Sequence, residues 1–277
     1  MLTVIGDILN WLAAGVVFPL MVLPLAALAA HGRASGATAS LIWALIAGGL
    51  AGAGVLFAWA TPALSAAPSP GALAIFAACL GGLCLAVAAA GGPDAAVARL
   101  EGPFQRAARA ASRAVMWLLL VMAFVQFMVV VLRYAFGVNF IFMQESITYM
   151  HGAVFLLAGG YALLTDGHVR VDIFYREAPA RRKALVDFLG TYLFLFPVCI
   201  LLLWTGSPYV GNSWAVGEGS TETSGIQAVF VLKSLIPAFA VLLSMAGFAV
   251  AAEAGRALRG EAPHHRTPHA DPTEGAL

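Results

Sequence analysis

Charge is absent from long stretches of this chain, and that absence limits the fold more than any motif does. No Asp, Glu, Lys or Arg lies between Arg33 and Asp94, and further charge-free runs cover Ala114 to Leu132, Ser146 to Thr165, Phe188 to Gly217 and Ser234 to Ala252. A helix needs roughly 20 apolar residues to cross the hydrocarbon core of a bilayer. Runs of that length, separated by short charged connectors, specify a polytopic membrane protein. With 61% hydrophobic residues, 10% charged residues and a mean hydropathy of +0.88, a soluble domain of 277 residues would leave far too much apolar surface in water. The expected fold class is therefore all-α, a polytopic integral membrane helical bundle.

The runs predict about seven transmembrane helices, over Ile8–Ala30, Ser40–Ala60, Gly71–Ala90, Val115–Phe136, Ile141–Thr165, Ala184–Ser207 and Ile226–Ala252. Lys and Arg close to helix ends are retained on the cytoplasmic side. Thirteen of the fifteen Lys and Arg residues fall on one side of this threading, and only Arg133 and Lys233 fall on the other. The N-terminus is thus expected outside and the C-terminus inside. The chain divides into an N-terminal extension of three helices (1–93), a cytoplasmic connector (94–113), a four-helix domain (114–259) and a disordered tail (260–277). Met1 to Asn10 lacks a basic region and contains Asp7, which disfavours a cleaved signal peptide. Pro19 and Pro24 are expected to bend the first span, and Gly48 with Gly52 to let helices approach closely.

Several functions find no support in this composition. A net charge of +1, with the cations confined to connectors, gives no basic face for nucleic acid. Cys79, Cys84 and Cys199 lie in apolar runs without paired spacing and are expected to pack as small hydrophobes. His264, His265 and His269 fall in the Pro-rich tail, where a solvated segment is expected rather than a metal site. A haem-bearing oxidoreductase anchor would need facing histidine pairs, yet His151 alone lies well inside a span. Intramembrane proteolysis has no recognisable nucleophile motif. No catalytic, cofactor or metal residues are expected, and an autonomous small transporter would need more polar groups at the midplane than these spans carry.

Information concentrates after Val115. The fourth span closes on Leu132-Arg133-Tyr134-Ala135-Phe136, turns at Gly137-Val138-Asn139, and the fifth opens with Met143-Gln144-Glu145-Ser146. Arg133 and Glu145 flank one hairpin, where they form an interfacial pair or clamp a partner. Gln126 and His151 are polar groups within spans and are expected to find hydrogen-bond partners inside the bundle. After the fifth span comes Thr165-Asp166-Gly167-His168-Val169-Arg170-Val171-Asp172, a turn and then alternating residues that suggest an extended contact surface. Arg181, Arg182 and Lys183 anchor the helix that follows Pro179. The connector before the last span runs from Tyr209 through Ser213, Gly217-Glu218-Gly219-Ser220 and Glu222 to Ser224 and Gln227, which together fit a helix-opening capping box. Glu218 and Glu222 are expected to face water, with Lys233 as a candidate internal partner.

This second half resembles the small membrane subunit of a tripartite ATP-independent periplasmic (TRAP) transporter, the DctQ-like component. The likeness rests on Arg133-Tyr134, Gln144-Glu145, the passage from Gly159-Gly160-Tyr161-Ala162 to His168-Val169-Arg170-Val171-Asp172, and Ser213 through Gly217-Glu218-Gly219-Ser220 before Lys233 and Pro237. It covers roughly Arg109 to Arg259, whereas the usual small subunit has four helices and no three-helix extension. The resemblance implies a bacterial inner-membrane importer subunit. It would pack against a large membrane subunit carrying the substrate and sodium sites, and a soluble periplasmic binding protein would deliver an organic acid anion. Membrane lipid is the other implied partner. Arg133, Glu145, His168, Arg170, Asp172, Ser213, Glu218, Ser220, Glu222 and Lys233 are the residues expected at partner interfaces.

Overall fold

The computed structural model describes residues 2–30, 70–167, 175 and 177–261. The expected Ser40–Ala60 span, Gly48 and Gly52, His168, Arg170 and Asp172, and the histidines of the tail lie outside the described residues. What is described is helical. In chain order the helices are α1 (Leu2–Ala30), α2 (Pro70–Ala90), α3 (Pro93–Ala135), α4 (Ile141–Leu164), α5 (Ala180–Gly190), α6 (Phe196–Val216), α7 (Val229–Lys233) and α8 (Leu235–Arg259). A π-helical turn, Thr191–Leu195, joins α5 to α6 without a break. Five helical runs among the described residues are long and apolar enough to cross a membrane, so this is a multi-pass membrane protein. In α2 the apolar stretch Ala77–Ala90 is shorter.

Prolines explain the irregularities. Pro197 has no N–H and its ring crowds the carbonyl four residues back, so the ladder widens and Phe196 N–H bonds the Thr191 carbonyl instead. Pro237 sits in the first turn of α8, where its missing N–H costs little, and the chain breaks at Ser234 to allow it. Pro93 opens α3 in the same way after Gly91 and Gly92.

Some boundaries differ from expectation. Residues 94–113 were expected to connect two units, but they are helical and run straight into the next span, giving α3 its 43 residues. Their Ala, Arg, Leu and Gln content favours helix, and at about 64 Å α3 is twice the thickness of a hydrocarbon core. The sixth span runs beyond Ser207 to Val216. The last apolar run opens with α7 at Val229 rather than at the expected capping box, because the Ile226 N–H is taken by Glu145 and the Gln227 side chain by the Glu222 carbonyl.

The core lies between α1 and α8, so the N-terminal helix is built into the four-helix domain. Ala13 and Val17 pack with Cys199, Leu203 and Ala240; Leu20, Leu23 and Ala27 pack with Val87, Ala96, Val97, Phe248 and Ala252. Ala184 and Phe188 complete the core against Ala251 and Ala254. Cys199 is fully buried there, as a packing residue would be. Polar threads cross the same seam. Asn10 Nδ2 donates to the Ser207 carbonyl at 3.0 Å, and the Tyr192 hydroxyl to the Met21 carbonyl, in the turn before Pro24, at 2.7 Å. On the other flank of α8, Gly160 explains the Gly-Gly pair of α4: a Cβ there would stand 2.8 Å from the Leu242 carbonyl oxygen, so only glycine permits this crossing.

Candidate functional site

The two ends of the bundle carry different chemistry. One end holds the Gly137–Phe140 turn and the segment 217–228; the other holds Gly91–Gly92, the 165–167 turn and Arg259. We call them the loop end and the arginine end.

At the loop end, α6 terminates because Gly217 adopts φ 60°, which lets the Glu218 N–H reach back to the Ser213 carbonyl at 3.0 Å. This turn brings Glu218 onto Lys233, with which it forms an ion pair. Lys233 Nζ also lies 3.8 Å from the centroid of the Tyr209 ring, so the cation is held from two sides. Next to it, Trp214 packs edge-on against Phe230 at 4.6 Å and donates Nε1–H to the Ser234 hydroxyl at 2.7 Å. The Lys233 hydrogen bond holds the Glu218 carboxyl below its ordinary range.

A second carboxylate holds the far side of the same segment. Glu145, in the first turns of α4, accepts the Ser220 hydroxyl on one oxygen and the Ile226 N–H, at 2.6 Å, on the other. The Ser220 oxygen in turn accepts the Glu222 N–H at 3.1 Å. Gly225 leaves room for this carboxylate: a Cβ would stand 2.6 Å from both Glu145 oxygens and would have to displace that side chain. The structure thus brings together Ser213, Glu218 and Lys233, and separately Glu145 and Ser220. Of the two alternatives for Arg133 and Glu145, the pair with each other is not formed among the described residues. Arg133 is exposed at the end of α3, and Glu222 is exposed beyond Ser220. Of the two acids of the segment, Glu218 pairs with Lys233, its candidate internal partner, and Glu222 faces water.

At the arginine end, sequence reasoning missed a network. Arg256 makes two hydrogen bonds to Glu101, at 2.7 and 3.1 Å. Gln105 donates to Glu101 and accepts from Arg109 at 2.8 Å. Arg259 pairs with Asp94 and Glu261 and donates to the Ala27 carbonyl at 3.1 Å, so it ties α1, α3 and α8 together. Gln105, Arg109, Tyr161, Thr165 and Glu253 line a polar cavity of about 350 Å³ between α3, α4 and α8. The i to i+4 spacing of Glu101, Gln105 and Arg109 was the available signal; their partners on α8 are far away in sequence.

A protein-family model described as "Tripartite ATP-independent periplasmic transporters, DctQ component" matches residues 122–259. By its second half the chain is a DctQ component. The match starts within α3, takes in α4 to α8, and contains the whole loop-end site. None of the curated proteins and none of the solved structures matches the chain. This DctQ component carries an N-terminal extension, and α1 of that extension lies in the core of the matched region. The family is one of transporter components, which points away from enzymatic activity.

Proposed function

We propose that this DctQ component is the small permease subunit of a sodium-coupled, binding-protein-dependent secondary importer of organic acid anions. Its part is to hold the large membrane subunit and to help dock the periplasmic binding protein. The family match carries the reading. The character of the interior supports it: among the described residues the buried polar ones are Asn10, Thr191, Ser213 and Ser244, all neutral, whereas carriers gather ionisable groups at midplane sites. The sodium ions and the substrate belong on the large subunit, and this chain needs no cofactor. Cation retention sets the loop end in the periplasm and the arginine end in the cytoplasm of a bacterial inner membrane. The segment 217–228, held on both flanks by Glu145 and Lys233, then offers Glu222 and its neighbours to the binding protein.

Reconstitution tests this reading. Liposomes holding the subunit together with the large membrane subunit and the binding protein should accumulate an organic acid anion when a sodium gradient is imposed. Liposomes lacking any one of the three should not. Sodium-driven uptake by this chain alone would overturn it.

A further inference from the structure

Gln126 and His151 were expected to be satisfied within the bundle, and both instead face outward. Each is exposed, and among the described residues neither makes a hydrogen bond. Gln126 lies nine residues before the end of α3 and His151 ten residues after the start of α4. At 1.5 Å per residue both sit about 15 Å below the loop-end turn, half the thickness of the hydrocarbon core. The surface around them is apolar and bare: Leu119 (47% exposed) and Val130 (43%) lie on the Gln126 side of α3, and Phe155 (74%) lies one turn from His151 on α4.

Lipid tails suit those apolar side chains but offer nothing to an amide or an imidazole, and polar groups left unsatisfied in hydrocarbon are costly. A neighbouring helix with its own donors and acceptors satisfies both requirements. We propose that the outward face of α3 and α4 is the docking surface for a transmembrane segment of the large membrane subunit, and that hydrogen-bonding side chains of that segment meet Gln126 and His151 at the midplane. The assignment rests on the importer-subunit reading and adds the face and its chemistry.

Photo-crosslinking on the full complex tests it. A benzophenone amino acid is placed at Gln126 or His151, with control sites at Leu12 on α1 and Phe194 on the α5–α6 side. Both are exposed elsewhere on the bundle. The large subunit should be captured from positions 126 and 151 and not from 12 or 194. If it co-purifies with the chain but is captured only from the control sites, the docking face is wrong. Capture of a second copy, of the chain's own Ser40–Ala60 segment, or of lipid alone from 126 and 151 overturns the assignment in the same way. Failure of the large subunit to co-purify at all overturns the importer reading and this face with it. Replacing Gln126→Leu and His151→Leu should each reduce recovery of the large subunit about threefold, the size of one interhelical hydrogen bond in a membrane. The yield and melting temperature of the isolated subunit should not change. Undiminished recovery from the double variant would remove the hydrogen-bonding role.

Discussion

Two regions of this bundle are strongly apolar, and they are buried to opposite degrees. In α1 and in the run from Val229 to Arg259, 56% of the most apolar stretch is buried, whereas in α3 and in α4 the share is 6%. Apolarity therefore does not separate inside from outside when the solvent is lipid. Small side chains mark where helices come closest, with Leu23, Phe196 and Phe248 buried between them. The sealed seam is lined by Ala13, Ala27, Ala240, Ala246, Ala251 and Ala254, while the open face presents Trp117, Leu120, Phe124 and Phe127. Helices in lipid associate through close packing rather than exclusion from water, so runs of small residues mark close helix contacts.

The most severe test of that contrast exchanges size across the two regions. Ala251 is fully buried between α8 and α5, and Ala251→Trp should cost about 3 kcal/mol through overpacking. The same residue placed on the open face, as Leu119→Trp, should change the stability of the isolated subunit by less than about 0.5 kcal/mol. Thermal unfolding in detergent, followed by intrinsic fluorescence, measures both. Equal losses would mean that α3 and α4 are packed against something within the chain.

Next in size is the arginine end, where the sealed region is also tied by charge. Arg259→Ala removes the hydrogen bond to the Ala27 carbonyl and the ion pairs to Asp94 and Glu261. A loss of about 2 kcal/mol is expected, because Arg259 is only 9% exposed and hydrogen bonds to charged groups are the stronger kind. Asp94→Asn should cost less, and the pair should be non-additive in a double-mutant cycle. Additive losses would show that the contact is not coupled. Such a result would leave α1 held by its apolar side chains alone.

The sequence made the spans legible because hydrocarbon thickness fixes their length, and charge-free runs report length directly. It also made Lys233 legible as a partner for Glu218, since both stand near the ends of adjoining helices. It did not reveal which helix faces would meet. Glu145 finds Ser220 75 positions away, and Arg256 finds Glu101 155 positions away. Spacing along one helix speaks only for neighbours three and four apart, and nothing near Glu145 in sequence points to Ser220 or Ile226 in the distant loop. Gln126 and His151 need partners as polar groups in spans do, and that requirement holds whether the partner belongs to the same chain or to another.

A smaller effect is expected at the loop end, where Glu145 joins the start of α4 to the segment 217–228. Glu145→Gln weakens an acceptor of the Ile226 N–H, so hydrogen exchange at that amide should quicken while the rest of the bundle is unchanged. Glu222→Gln, on an exposed side chain, should leave exchange as it was. Slower or unaltered exchange in the Glu145 variant would mean that the loop is held by the Glu218 side alone.

The smallest effect is a pH dependence confined to acid, which separates the two anchors of that segment. The Glu218 carboxyl is held below its ordinary value of 4.5 by the hydrogen bond from Lys233. A carboxyl depressed by folding contributes above its unfolded value, and the contribution fades as pH falls through the folded one. The ion pair should therefore be indifferent to pH from about 8 down to about 5 and loosen only below 4.5. Trp214 reports it, since its ring packs on Phe230 and its N–H binds Ser234, next to Lys233. Acid-induced change in Trp214 fluorescence should be present in the wild type and absent in Glu218→Gln, where Lys233 keeps only the Tyr209 ring. A transition near neutral pH, or one that survives in Glu218→Gln, would assign the titration to another group. The 217–228 segment would then be anchored mainly through Glu145 on α4, next to the open face rather than the sealed one.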